Sequence, residues 1–238
     1  MPYTAVFRPG MGDLGPDLLV RNSSLLRFCE DTAGFHCDSL GAGLRELGEA
    51  GTAWVLLAWQ LAVYRRPRYG TALTAATWAR QVNRVHSWRD FSIRDEDGEL
   101  LAEATSRWIV VRNGDHAVTT ISPEIIACFP VEPGGGLAGW RPRHPEQPEA
   151  PLLETEAVIR PSDTDMLGHL HNLNYILLAE DMLPPEEGSP ELAEKLMIQY
   201  RGEVRAGDTV RCLFSKTEDL RTVTVMGPSG ISAEVSFR

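Results

Sequence analysis

The sequence predicts an α+β protein built from two halves, each a curved antiparallel sheet wrapped around one long helix. A proline- and glycine-rich break, similar segments on its two sides, and one helix pattern per side predict this class. The 238 residues leave room for two domains of about 100 residues each. Residues 131–151 suit neither a helix nor a central strand, so we expect domains at 1–130 and 152–238 with 131–151 as the linker.

Similar segments recur in the same order in the two halves, which indicates an internal duplication. NSSLLRFCED at 22–31 parallels NLNYILLAED at 172–181, and the leading Asn22 and Asn172 are candidate helix N-caps. The other matching segments are Arg8-Pro9 with Arg160-Pro161, 65–73 with 202–210, and 99–111 with 231–238.

Each half shows one helix pattern followed by alternating strands. In the first half we expect a helix at about 22–38 and strands at 52–66, 71–83, 86–95, 99–112 and 116–121. In the second half we expect strands at 153–160, 196–204, 208–217, 219–226 and 230–237. The apolar run AWVLLAWQLAV at 53–63 is too short to cross a membrane and is predicted to be a buried strand.

Composition excludes several classes of function. A formal net charge of −10 argues against nucleic acid as a partner. The four cysteines form no CxxC pair and no small disulfide framework, which favours a reduced, intracellular setting. The first residues do not resemble a secretory signal, so we expect a soluble, cytoplasmic protein that does not act on membranes.

Acids and imidazoles are concentrated ahead of the second helix, in RPSDTDMLGHLHNLNYI at 160–176. Asp165 and His169 flank the approach to a helix N-terminus, whose unpaired N–H groups favour a developing oxyanion in acyl transfer. Glu203, on the strand that follows, is a candidate base or nucleophile. Asp163 is expected to be a cap. The chain has no GxSxG serine and no evident nucleophilic cysteine, so water is the expected acyl acceptor.

Other interpretations of these residues remain open. Asp165 and His169 also suit a helix cap or a buried polar contact, and Glu203 alone suits a solvated strand. Asp163, Asp165, His169 and His171 also suggest a metal site, although an HxH pair is a weak signal without further ligands.

The first half lacks this acid–base set. Its matching segment, GMGDLGPDLLV, contains Asp13 but no histidine, and Arg66 stands opposite Glu203. The region is instead rich in arginine, which indicates either a solvated face or a docking surface. These arginines are Arg65, Arg66, Arg68, Arg80, Arg84 and Arg89.

Several segments together resemble the acyl-ACP thioesterases, the double hot-dog enzymes that release fatty acids from acyl carrier protein (ACP). These segments are FCEDTAGFHCDSLG, VYRRPRYGTALTAATWARQVNR, FSIRDEDGELLAEATSRWIVV, RPSDTDMLGHLHNLNYI and IQYRGEV. The resemblance covers nearly the whole chain. It implies a tandem hot-dog fold, a thioester hydrolase without cofactor or metal, an acyl-ACP partner, and a monomer or homodimer.

The resemblance also assigns residues. The family pattern Asp-x-Asn-x-His-x-Asn-Asn, with a later Glu, implies that the catalytic residues are Asp165, His169 and Glu203. Leu167 stands where the family has a catalytic Asn, His171 replaces the first Asn of the pair, and Asn172 matches the second. We expect these three residues to bind substrate, together with Trp54 and Trp59 of the apolar strand.

The implied reaction is hydrolysis of fatty acyl-ACP to free fatty acid and ACP. Leu167 offers no amide to the thioester oxygen, and a lost oxyanion donor costs roughly 10²–10³ in turnover. The alternatives are a catalytically impaired acyl-ACP or acyl-CoA-binding protein, an acyl-CoA thioesterase, and a hot-dog dehydratase. ACP is acidic, so its docking surface is expected to be Arg65, Arg66, Arg68, Arg80 and Arg84.

Overall fold

The structure is a computed structural model that describes residues 1–15, 17–132, 137 and 148–238. It contains two compact units, Met1–Trp140 and Arg141–Arg238. Most of the predicted linker at 131–151 lies outside the described residues. None of the helices in the described ranges is long and apolar enough to span a membrane.

The first unit has one long helix and a five-stranded antiparallel sheet. Its elements are β1 (Tyr3–Phe7), α1 (Asn22–Ser39), α2 (Leu44–Glu49), β2 (Thr52–Val63), β3 (Leu73–Val82), β4 (His86–Arg94), β5 (Leu100–Arg112), β6 (Val118–Thr119) and α3 (Pro123–Cys128). The strand order is β1-β3-β4-β5-β2, and the short β6 pairs with β5. The predicted helix and strands of this half are confirmed, although the last strand is only two residues long.

Helix α1 packs one apolar face into this unit. Leu25, Phe28, Cys29, Thr32 and His36 recur at helical spacing and are all buried. Burying each large apolar side chain contributes roughly 1.5–3 kcal/mol, so this stripe fixes the helix in the fold.

The predicted N-cap of α1 is wrong. The helix begins at Asn22, Arg21 occupies the N-cap position, and no side chain caps this end. The Asn22 side chain is fully buried, so it faces the interior of the unit and does not cover the helix end.

The second unit repeats the topology of the first with a shorter helix. Its elements are β7 (Leu153–Val158), α4 (Asn174–Met182), β8 (Lys195–Tyr200), β9 (Thr209–Lys216), β10 (Arg221–Gly227) and β11 (Gly230–Phe237). The sheet order is β7-β9-β10-β11-β8, which matches β1-β3-β4-β5-β2 of the first unit element by element. A long helix was expected, but α4 has nine residues, because Pro184 and Pro185 follow it and cannot continue a helix.

The loops that precede α1 and α4 have the same backbone hydrogen bonds. The amide of Asp13 donates to Gly10 (3.0 Å), as the amide of Asp163 donates to Arg160 (2.9 Å). This register pairs Gly10 with Arg160, so the predicted pairing of Arg8-Pro9 with Arg160-Pro161 is off by two residues. The shared hydrogen bonds and strand order support the duplication inferred from the sequence.

Candidate active site

The loop before α4 closes into a tight turn at residues 165–168. The Asp165 amide donates to the His169 carbonyl (2.8 Å), and the Gly168 amide donates to the Asp165 carbonyl (3.0 Å). Gly168 has φ of +75°, a left-handed conformation that glycine adopts without steric cost. The carboxylate of Asp165 accepts the amides of Leu167 (2.8 Å) and His169 (3.2 Å) through Oδ1. One oxygen of Asp165 is therefore engaged in shaping the turn.

Backbone contacts bring this turn to the segment that carries Glu203. The Leu170 amide donates to the Val204 carbonyl (2.7 Å), and His169 forms an isolated β-bridge with Arg205. As a result, His169 Nε2 and Glu203 Oε2 lie 3.3 Å apart, with the histidine side chain 16% exposed and the glutamate 46% exposed. An imidazole beside a carboxylate is a pair that general acid–base catalysis commonly uses.

Arg205 also contacts the Glu203 carboxylate and was not identified from the sequence. Its Nη2 lies 3.4 Å from Glu203 Oε2. Both side chains are about half exposed, so the ion pair itself is worth no more than about 1 kcal/mol. Arg205 comes two residues after Glu203, and this spacing could have indicated the contact. Side chains two residues apart in an extended segment project to the same side.

Asp163 supports the loop from its first turn. Its Oδ2 accepts the Arg160 amide (2.8 Å), and this backbone hydrogen bond lowers the pKa of Asp163. Its carbonyl accepts the Asn174 side-chain amide (2.7 Å) and the His171 amide (3.0 Å). These contacts support the structural role predicted for Asp163. They also compete with the metal coordination that the alternative interpretation would require.

The start of α4 differs from the prediction in two respects. Leu173 occupies the N-cap position and His171 Nδ1 accepts its amide (3.3 Å), so the prediction that Asn172 caps the helix is wrong. The Asn174 amide donates to the His171 carbonyl (2.8 Å), and the Ile176 amide donates to the Leu173 carbonyl (3.0 Å). These three amides were expected to be available to an oxyanion, but local hydrogen bonds engage them.

Two tyrosines that sequence analysis missed tie the site to the sheet. The Tyr200 hydroxyl donates to the Asn172 carbonyl (2.9 Å), and the Tyr175 hydroxyl donates to the Gly202 carbonyl (3.4 Å). Their rings meet edge-on, with centroids 5.5 Å apart. Burial and the nearby charge of Glu203 raise the pKa of Tyr175, which keeps its hydroxyl a donor.

Leu167 and Met166 form the tip of the turn. Their side chains are 58% and 79% exposed. The Leu167 amide is bonded to Asp165, and its side chain has no polar atom. Leu167 therefore does not replace the Asn amide of the family pattern.

The equivalent loop of the first unit lacks the acid–base residues. The hydrogen-bond register places Gly15, Leu19 and Arg66 opposite Asp165, His169 and Glu203. Asp13 corresponds to Asp163, and the Arg66 guanidinium donates to the Val20 carbonyl (2.8 Å). At these equivalent positions, the second unit has His169 and Glu203, whereas the first unit has Leu19 and Arg66.

Two of the predicted docking arginines are paired with carboxylates. Arg65 contacts Asp95 and lies 2.9 Å from Glu99. Arg80 lies 3.3 Å from the buried Asp90. These pairs reduce the positive charge that Arg65 and Arg80 present to a partner.

The other arginines of the arginine-rich region differ in their exposure. Arg68 and Arg84 are exposed, and Arg66 makes the main-chain contact described above. Arg89 is only 3% exposed, so grouping it with a surface was wrong. Strand alternation places it on the same face of β4 as the buried Phe91. A docking role for Arg65, Arg66, Arg68, Arg80 and Arg84 stays a prediction.

Trp54 and Trp59 both lie on β2, the predicted buried strand. Trp59 is fully buried, with its ring centroid 5.1 Å from that of Phe91. Trp54 is partly buried and meets Phe129 edge-on at 6.4 Å. Their substrate-binding role stays a prediction.

Family profiles match both halves of the chain. The acyl-ACP thioesterase N-terminal domain matches residues 4–129, and the C-terminal domain matches residues 147–227. Among curated proteins, oleoyl-acyl carrier protein thioesterase 1 of Arabidopsis thaliana is 24% identical over 189 residues, which are 74% of this chain and 52% of that protein. Palmitoyl-acyl carrier protein thioesterase of Gossypium hirsutum is 27% identical over 220 residues, covering 87% and 53%. The chain thus spans about half the length of these relatives.

Solved structures have the same fold. An acyl-ACP thioesterase from Bacteroides thetaiotaomicron matches with a TM-score of 0.88 and 20% identity, covering 98% of this chain and 96% of that one. A 12:0-ACP thioesterase from Umbellularia californica matches with a TM-score of 0.88 and 18% identity, covering 100% and 96%. The double hot-dog fold is therefore confirmed, and with both domain profiles matched the chain belongs to the acyl-ACP thioesterase family.

Proposed function

We propose that this protein hydrolyses fatty acyl-ACP thioesters to free fatty acid and ACP thiol. The observation that carries the proposal is the 3.3 Å contact between His169 Nε2 and Glu203 Oε2 beside a turn held by Asp165. Family membership supports the substrate class, since the relatives described above are named for oleoyl- and palmitoyl-ACP.

In the proposed reaction, Glu203 accepts a proton from a water molecule whose oxygen attacks the thioester carbonyl. The C–S bond then breaks, the proton passes from Glu203 to His169 Nε2, and His169 donates it to the departing sulfur, so both residues return to their starting states. One water is consumed, and one carboxylic acid and one thiol are formed. Glu203 is assigned as the base because it is the more exposed partner and Asp165 has one oxygen engaged in the turn. Each acid–base group contributes roughly 10²–10⁴ in rate.

A donor must replace the amide that Leu167 lacks, and we assign this role to His171. Its Nδ1 accepts the Leu173 amide, so in the neutral imidazole the ring proton lies on Nε2, where it can be donated. His171→Ala should lower kcat by roughly 10²–10³, the cost of one oxyanion donor. Adding Leu167→Asn to that variant should restore much of the loss. A double variant no faster than His171→Ala would contradict the assignment.

The acyl chain is proposed to lie in the first unit, between α1 and β2. The buried Trp59 and the partly buried Trp54 supply apolar surface there. Each buried methylene contributes about 0.8 kcal/mol, so the depth of this region would set the preferred chain length. The exposed Arg68 and Arg84 are the docking arginines best placed to meet an acidic carrier.

The second candidate is an acyl-binding protein with little catalysis, and the apolar Leu167 is the observation that favours it. Thiol release and binding, measured for the same acyl-ACP, separate the two functions. Multiple turnovers of wild-type protein support the hydrolase. Saturable binding without thiol release supports the binding protein. Acyl-CoA of the same chain length, run in parallel, tests CoA as the carrier.

A further inference from the structure

Arg89 places a positive charge in the interior of the first unit. Its side chain is 3% exposed. One guanidinium nitrogen, Nη1, lies 2.8 Å from His36 Nδ1 and donates to Thr77 Oγ1 (3.2 Å), and Nη2 donates to Cys37 Sγ (3.6 Å). The guanidinium carbon lies 5.5 Å from the centroid of the Phe129 ring.

None of these partners neutralises the guanidinium. Burial lowers the pKa of His36 to about 4 and raises the pKa of the Cys37 thiol, so both are uncharged near neutral pH. Across the described ranges, no carboxylate lies within ion-pair distance of Arg89. Buried charges in proteins are usually paired, so an unpaired cation here calls for an explanation.

Two further N–H donors are buried in the same unit. Trp59 Nε1 and Trp54 Nε1 have no acceptor among the residues that the structure describes. Trp59 and Arg89 both pair with Ser106 across neighbouring strands, so all three side chains project from the same face of the sheet. The Ser106 hydroxyl already accepts from Trp108 Nε1 (2.6 Å). Both indole N–H groups are therefore buried without a hydrogen-bond acceptor among the described residues.

We propose that this region is a subsite for acyl chains that carry an oxygen function, with the oxygen accepting from Trp59 or Trp54 beside the Arg89 guanidinium. The shared chemistry is an oxygen acceptor on the distal part of the chain: a hydroxyl, a ketone or a carboxylate. The proposal rests on the proposed placement of the acyl chain in the first unit. A plain hydrocarbon chain would leave these donors unpaired, whereas an oxygenated chain satisfies them.

Binding, measured apart from catalysis, tests the subsite. The probes are non-hydrolysable amide analogues of acyl-pantetheine, in matched lengths, with an unsubstituted, hydroxylated, keto or carboxylated chain end. Calorimetry on the full chain should show at least one oxygenated series binding about tenfold tighter than the unsubstituted one, the value of one buried hydrogen bond to a charged donor. A carboxylate that binds best identifies Arg89 as the main determinant, and a hydroxyl or ketone identifies the indoles.

Three variants make the test specific. Trp59→Phe removes one donor and keeps an aromatic ring, and it should shrink the preference severalfold. Arg89→Lys keeps the charge and changes the donor geometry, so it should weaken recognition of the oxygenated end. Trp88→Phe is the matched control, because Trp88 neighbours Arg89 on the opposite face of β4 and should leave the preference unchanged.

Equal affinity for oxygenated and unsubstituted analogues at every length would overturn the proposal. So would a preference that survives Trp59→Phe, Trp54→Phe and Arg89→Lys unchanged. Failure of the proposed function is a separate result: no thioester, substituted or not, would release thiol, while the binding ratio is read without any turnover.

Discussion

Leu18 has a backbone conformation that its side chain disfavours. Its φ is +59°, and its counterpart in the second unit is Gly168, with φ of +75°. A residue with a Cβ pays roughly 1–2 kcal/mol in this left-handed region. The Leu18 side chain is 62% exposed, so little packing is lost on its removal. Glycine loses more freedom on folding, which offsets the gain by about 0.5–1 kcal/mol. Leu18→Gly should therefore stabilise the protein by about 0.5–1 kcal/mol.

Thermal unfolding of the full chain, followed by circular dichroism, measures this effect. For a chain of this size, 1 kcal/mol moves the midpoint by about 2–4 °C, so Leu18→Gly should raise it by about 1–4 °C. Gly168→Leu should lower the midpoint, since it introduces the same strain. Gly12→Ala is the control, because Gly12 has no left-handed φ and open space around its Cβ position. A lower midpoint for Leu18→Gly would refute the strain argument.

Three further predictions concern pH, the site and docking. Acid should destabilise the protein, because burial holds the pKa of His36 at about 4 against 6.5 when exposed. His36 contributes at most about 3 kcal/mol to the free energy of unfolding; this contribution is complete above about pH 6.5 and is lost as the pH falls towards 4. His36→Gln should flatten the dependence of that free energy on pH in this range. An unchanged slope in the variant would contradict the reasoning. Tyr200→Phe removes the hydroxyl that donates to the Asn172 carbonyl, which should cost about 1 kcal/mol of stability. In this variant kcat should fall by a larger factor than KM rises. An unchanged kcat would show that this hydrogen bond does not position the site. Arg68→Glu with Arg84→Glu should raise KM for acyl-ACP and spare a small thioester, and equal losses on both substrates would refute docking there.

Local patterns were enough to predict most of the fold. The helical spacing of Leu25, Phe28 and Thr32 predicted α1, and alternation predicted the strands on either side of the break. The helix starts were less predictable. Asn22 has a good N-cap side chain, but tertiary burial turns it inward. Leu173 occupies the N-cap position that was expected of Asn172, and its amide donates to His171 Nδ1.

The site depended on contacts that no local pattern contains. The family resemblance identified His169 and Glu203 as site residues. The β-bridge between His169 and Arg205 brings the His169 and Glu203 side chains together, and no local pattern shows that bridge. The sequence also could not show that the amides at the start of α4 bond locally, which depends on the backbone path through Leu173 and Asn174.

The sequence around Arg89 contained an indication that this arginine is buried, and the interpretation by charge overlooked it. Ser87, Arg89, Phe91 and Ile93 alternate along β4, and all four are buried. That period of two indicated an inward-facing arginine. Grouping Arg89 by charge with Arg84 ignored the strand on which it lies.

Thiol release from acyl-ACP by wild type and Glu203→Gln tests the His169–Glu203 account most directly. Glu154→Gln is the matched control. It is the same acid-to-amide change, at a residue of β7 whose exposed side chain pairs with Arg211 of β9. We predict clear turnover by wild type and by the control, and a loss of roughly 10²–10⁴ in Glu203→Gln. A Glu203→Gln variant as fast as wild type, or a wild type that binds acyl-ACP without releasing thiol, would contradict the account.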